Sequence, residues 1–129
     1  MNDTYKQHGA FSWSELLVDN VESAIGFYTE VIGWEIEEME MPQGKYYVLK
    51  SNDIPVGGIM AKPEGYDHVP DHWGTYITVN DVDETLAKAE AAGGKAIYPP
   101  MDVPGVGRMC AISDNSGAAV SIITYENKE

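Results

Sequence analysis

At 129 residues, with 43% hydrophobic and 22% charged side chains, the chain has the size and composition of one globular domain and not of a disordered segment. A net charge of −13 and eight basic residues that never gather into a patch argue against nucleic acid and anionic membrane surfaces as partners. The single cysteine, Cys110, excludes an internal disulfide and reads as a small apolar strand residue. No apolar run approaches the roughly 18 residues of a membrane span, and Met1 to Ser14 lack a cationic start followed by an apolar core, so a cytoplasmic location is expected.

In chain order, an alternating strand around Trp13 to Val18 runs into Asp19-Asn20, side chains that cap a helix. That helix is expected from about Val21 to Ile32, where Val21, Ala24, Ile25, Tyr28, Val31 and Ile32 form one apolar stripe, and Gly33 ends it. Three short strands follow, about Trp34 to Met41, Lys45 to Lys50 and Pro55 to Ala61, with turns at Pro42-Gln43-Gly44 and Ser51-Asn52-Asp53. Lys62 to His72 carries two Pro and one Gly and reads as a linker. A second strand, about Gly74 to Val79, runs into Asn80-Asp81. The helix from about Val82 to Ala92 then ends at Gly93-Gly94. The last three strands are placed at about Lys95 to Met101, Arg108 to Ser113 and Ala118 to Tyr125.

The two halves repeat. Trp13 to Glu22 aligns with Gly74 to Asp83 at an offset of 61 residues, and Gly33 matches Gly94 at the same offset. Each half is thus β-α-β-β-β, with modules at about 9–61 and 73–125 inside a single domain. One such half is too small to cover both faces of its own sheet. Pairing two is expected to build an α+β fold in which a curved mixed sheet forms a cup with the helices outside.

Leu17-Val18-Asp19-Asn20-Val21-Glu22-Ser23-Ala24, Phe27-Tyr28, Ile32-Gly33-Trp34, Thr78-Val79-Asn80-Asp81-Val82-Asp83 and Asp114-Asn115-Ser116-Gly117, in this order, make the chain resemble the vicinal oxygen chelate superfamily of glyoxalase I, bleomycin-resistance proteins and extradiol dioxygenases. The resemblance runs from about Phe11 to Tyr125. It implies a small-molecule site in the cup, and a homodimer as a common assembly. Metal-dependent relatives hold a divalent ion with side chains from the first and last strands of each module, and the ion stabilises negative charge on substrate oxygens. Carried over by motif, those positions are Trp13, Gly58, Gly74 and Ser121. Three of them have no donor side chain and a neutral hydroxyl is a poor ligand, so no metal and no other cofactor is expected.

Strand alternation then assigns the faces. With positions 13, 58, 74 and 121 in the cup, Glu15, Leu17, Val56, Met60, Tyr76, Thr78, Ala119 and Ile123 join them, while Leu16, Val18, Ile59, Ile77, Val79, Val120 and Ile122 pack beneath the helices. The expected site is Trp13 as a stacking wall, Met60, Tyr76, Thr78 and Ser121 as lining, and Glu15 as general base or acceptor, partly desolvated so that its pKa rises. Glu15 bonded to Tyr76 or backbone is the structural alternative.

Arg108, the one arginine, is placed either at the cup mouth to clamp a ligand carboxylate or in a salt bridge among acidic neighbours. His68 and His72, with Asp67 and Asp71 interleaved, have the spacing of a metal pair, but Pro70 between them opposes helical geometry. An exposed linker is the simpler account. Glu35, Glu37, Glu38 and Glu40 read as a solvated strand surface.

The expected function is a small-molecule-binding protein of this superfamily without the usual metal, for a largely apolar ligand with one or two polar groups. Sequestration and proton transfer through Glu15 both remain open. The alternative is a divalent-metal lyase or dioxygenase of the same superfamily with displaced ligands.

Overall fold

The computed structural model describes residues 4–41, 44–66 and 68–126. Pro42 and Gln43 of the first expected turn, and Asp67 beside His68, lie outside the described residues. The chain divides into two compact units, one of Trp13–Gly74 and the other of Met1–Ser12 with Thr75–Glu129.

The first unit holds β1 (Phe11–Val18), α1 (Val21–Val31), β2 (Glu35–Met41), β3 (Gly44–Ser51) and β4 (Ile54–Ala61). Its strands run in the order β2-β3-β4-β1. The β1–β4 pair is parallel, with Glu15 opposite Gly58 and Leu16 opposite Ile59, and the other two pairs are antiparallel. The Asn20 side chain accepts from the Ser23 N–H at 3.0 Å, so the free donors of the first turn find the acceptor that the sequence promised. Gly33 takes φ +87° just past the helix. Asn52 and Asp53, at φ 52° and 68°, close the β3–β4 hairpin with the two left-handed residues that match strand twist.

Leu16, Val18, Leu49 and Ile59 form the core, with Val21, Ala24, Ile25, Tyr28, Trp34, Ile36 and Tyr47 packed against it. The stripe on α1 is shorter than its sequence period suggested. Val31 and Ile32 are exposed at 58% and 55%, because the helix stops at Val31 and its last turn projects past the core.

The second unit holds β5 (His72–Thr78, its first residues in the other unit), α2 (Val82–Ala91), β6 (Lys95–Val103), β7 (Gly107–Ser113) and β8 (Ala119–Tyr125). The order is β5-β8-β7-β6, the same plan as the first. Asp81 accepts from the Glu84 N–H at 3.0 Å. Val79, Val82, Cys110 and Ile122 make its core, flanked by Ile77, Tyr98 and Ile112. Burial raises the Cys110 thiol pKa, which favours the inert protonated form.

The sequence pattern did not show the N-terminal arm, a short 3-10 turn at Thr4–Lys6 followed by backbone bonds from Gly9 to Thr78 and from Thr78 to Ala10. The Asn80 N–H also donates to His8 Nδ1. These bonds are why residues before Trp13 group with the second unit. No helix among the described residues is long and apolar enough to cross a membrane.

The expected linker is tied down in the first unit. The Lys62 side chain is 4% exposed, with its ammonium 3.2 Å from Asp19 and 2.8 Å from Asp71, and the Asp19 N–H donates to Asp71 at 3.2 Å. The hydrogen-bonded Lys62 ammonium holds the Asp71 carboxyl below its ordinary value, and Asp71 raises Lys62 in return. A depressed carboxyl contributes stability that is present above its unfolded pKa, about 4, and is lost as pH falls through the folded value. In acid, Tm of the native chain should therefore fall more steeply below about pH 4 than Tm of Asp71→Asn, and parallel curves would exclude the coupling. At neutral pH Lys62→Ala should lower Tm by roughly 3–8 °C.

Candidate functional site

Strand alternation in the first unit sets up the site. Because Leu16, Val18, Ile36, Tyr47, Leu49 and Ile59 turn towards α1, their neighbours must present the opposite face. That face carries Trp13, Glu15 and Leu17 from β1, Glu37, Met39 and Met41 from β2, Tyr46, Val48 and Lys50 from β3, and Val56, Gly58 and Met60 from β4.

At its centre the Trp13 indole N–H donates to the Tyr46 hydroxyl at 2.7 Å. A Cβ built on Gly58 would lie 1.9 Å from Tyr46 Oη and 2.2 Å from its Cζ. The hydroxyl end of the phenol therefore occupies the volume any side chain at 58 would need. Gly58 is also the register partner of Glu15, so Glu15 stands on the strand beside the glycine that the phenol overlies. Trp13, Glu15, Tyr46 and Met60 are half-buried, and Met39 and Val56 are exposed at 41% and 42%. Alongside its charged residues the face carries three unbranched methionines able to adapt to different ligand shapes. Tyr46 was absent from the expected site, since nothing in its strand marked it until the Gly58 contact was visible.

The donor set at the family's metal positions does not fit a divalent ion. Trp13 offers an N–H already committed to Tyr46, Gly58 and Gly74 offer no side chain, and the room beyond Gly58 is filled by a phenol. Ser121 alone has a hydroxyl. Among the described residues no three His, Cys, Asp or Glu gather at metal-binding distance. His72 Nδ1 lies 2.9 Å from the Pro70 carbonyl oxygen and His68 is exposed.

In the second unit Tyr76, 7% exposed, stands opposite half-buried Ser121 across the parallel β5–β8 pair. Thr78 is 4% exposed, and its hydroxyl donates to the Tyr5 carbonyl oxygen. That position was expected to line a ligand site. The N-terminal arm covers it instead, with the Tyr5 ring edge-on to Tyr125 at 5.5 Å and the Tyr125 hydroxyl donating to Ser12 at 2.8 Å.

Arg108 falls on the face it shares with Cys110 and Ile112, which pack in the core below α2. Its Nε and Nη2 donate to Asp83 at 2.8 and 3.0 Å, and Nη1 donates to Asp102 at 3.1 Å. The fork lowers the Asp83 carboxyl and raises the guanidinium. Asp81 and Glu126 also line the cleft of about 370 Å³ beside it. The geometry thus realises the salt bridge, and the excess of carboxylates leaves no welcome there for a ligand carboxylate.

If the Trp13–Tyr46 pair depends on the missing side chain at 58, Gly58→Ala must swing the phenol away. The indole N–H resonance assigned to Trp13 should then move to the position it takes in Tyr46→Phe, with a stability loss of about 1–3 kcal/mol from overpacking. An unmoved indole resonance in Gly58→Ala would show that the phenol does not occupy that space.

Residues 10–122 match the family model of the Glyoxalase/Bleomycin resistance protein/Dioxygenase superfamily. A protein of Mycobacterium bovis named "Putative glyoxylase CFP32" is 45% identical over 116 residues, covering 89% of this chain and 44% of the relative. "Anthracycline biosynthesis protein DauV" of Streptomyces sp. (strain C5) is 32% identical over 127 residues, covering 88% and 46%. The chain thus spans less than half the length of these curated relatives. Among solved structures, methylmalonyl-CoA epimerase from Mycobacterium tuberculosis has a TM-score of 0.65 at 17% identity, covering 98% of this chain and 94% of that one. The hypothetical protein BH1468 from Bacillus halodurans C-125 has a TM-score of 0.70 at 12% identity, covering 95% and 99%. These two share the fold. Together with the family match over most of its length and the repeated β-α-β-β-β plan, they establish that this chain belongs to the Glyoxalase/Bleomycin resistance protein/Dioxygenase superfamily.

Proposed function

We propose that the protein binds a flat, largely apolar small molecule on the open face of the first unit's sheet. The observation that carries this is the Trp13–Tyr46 pair held over Gly58. It sets two rings beside an adaptable methionine surface, with Glu15 on the strand next to Gly58. Stacking on the rings supplies affinity, and the carboxylate orients the ligand by accepting from a hydroxyl or amine. Sequestration needs no more than this. In a catalytic version Glu15, half-buried on the strand next to Gly58, would be the general base.

Two of the curated relatives are named for anthracycline biosynthesis, which favours a polycyclic aromatic ligand. The donor set at the metal positions favours a mechanism without a metal. Cytoplasmic location and assembly as a homodimer belong to the same proposal, the first supported by the lone free cysteine and the second by relatives more than twice as long as the matched segment.

Titration with 9-anthracenemethanol, a neutral tricyclic probe, should shift the Trp13 indole and the Met39 and Met60 methyl resonances and spare Leu49 and Ile59 on the helix side. Trp13→Ala should weaken binding roughly tenfold, the loss of one stacking wall. Shifts confined to the helix side, or none up to millimolar probe, would remove the proposal.

A further inference from the structure

The N-terminal arm grips the second unit at one short stretch of chain, Thr78 to Asn80. Three donors there end on the arm: the Thr78 hydroxyl on the Tyr5 carbonyl oxygen, the Thr78 N–H on the Ala10 carbonyl oxygen at 2.8 Å, and the Asn80 N–H on His8 Nδ1 at 2.9 Å. In return the Gly9 N–H donates to the Thr78 carbonyl oxygen at 2.7 Å. The Val79 N–H between them turns the other way and donates to the Ile123 carbonyl oxygen of β8 at 2.9 Å.

Tyr5 to Gly9 are all exposed, so little apolar area leaves water when the arm docks, and polar contacts must supply most of its hold. The Tyr5 ring adds one edge-on contact with Tyr125 at 5.5 Å. Thr78 is 4% exposed with the arm in place, and its hydroxyl and N–H depend on the arm for acceptors. A segment with few buried contacts opens at a lower free energy than the core it covers.

We infer that residues 4–10 are a strap that opens and recloses on the second unit while its core stays folded, with the Thr78 hydroxyl as the catch. Lys6 of the arm is one wall of a cavity of about 360 Å³ lined also by Thr78, Asn80, Thr124, Tyr125 and Glu126. Lifting the strap turns that cavity into an open cleft and releases the donors of Thr78 and Asn80 into it. The strap belongs to the second unit and stands whether or not a ligand uses the face of the first.

Residue-resolved amide hydrogen exchange on the full chain tests this. The amides of Gly9 and Thr78, bonded between arm and β5, should share one protection factor at least roughly tenfold below that of Val79, the internal control. Thr78→Val keeps the side-chain shape and removes the catch, and the Tyr5 carbonyl, at an exposed residue, can turn to water. Protection of Gly9 relative to Val79 should then fall roughly fivefold or more, a ratio from which any loss of global stability cancels. Should Thr78→Val fail to fold, His8→Ala removes the Asn80 acceptor from an exposed position and must move the same ratio in the same direction. Gly9 and Thr78 as protected as Val79 would make the arm a fixed part of the fold and overturn the inference. Protection of the two differing from each other by as much as tenfold, or a Gly9 to Val79 ratio that the substitution leaves unchanged, would overturn it as well.

Discussion

The parallel pairing of β1 with β4 imposes the constraint from which the candidate site follows. Leu16 and Val18 pack with Ile59 beneath α1, and a strand's side chains alternate with a period of two. Once those residues face the helix, Trp13, Glu15, Gly58 and Met60 must face away from it. A slip of one residue would bury the Glu15 carboxylate under α1 and expose Leu16 and Ile59, a desolvation cost that no partner in that apolar core offsets. The site is therefore specified by the core on the other side of the same sheet.

Upon that constraint Gly58 adds a second. At this position metal-dependent members of the superfamily present a ligand, and here the absence of a side chain admits the Tyr46 ring. The indole N–H of Trp13, another of those positions, fixes the ring in place. Two positions of the family's inner donor set have thus become an aromatic surface.

The second unit repeats the architecture with different use of its faces. Its N-terminal arm occupies the end of β5 and ties up Thr78, and its only arginine is spent across the top of the core on Asp83 and Asp102. The repeat in sequence is thus a repeat of backbone and core. Equivalent strands are used differently: the N-terminal arm closes over the end of β5 in one unit, and the Trp13–Tyr46 pair sits over Gly58 in the other.

The sequence alone determined the two helices and eight main strands and their order, though not the N-terminal 3-10 turn. Apolar spacing, the caps at Asn20 and Asp81 and the glycines at 33 and 93 are local signals, read within a few residues of where they act. Tertiary structure decided what touches what. Tyr46 is 12 residues from Gly58 and 33 from Trp13, and no pattern in β3 marks it as the residue that fills a gap in β4. Thr78 and Arg108 carried the right side chains for a site and lost them to Tyr5 and Asp83, contacts spanning 73 and 25 residues. Local physics chose the strand and its face, and long-range contact chose which polar groups remained for a ligand.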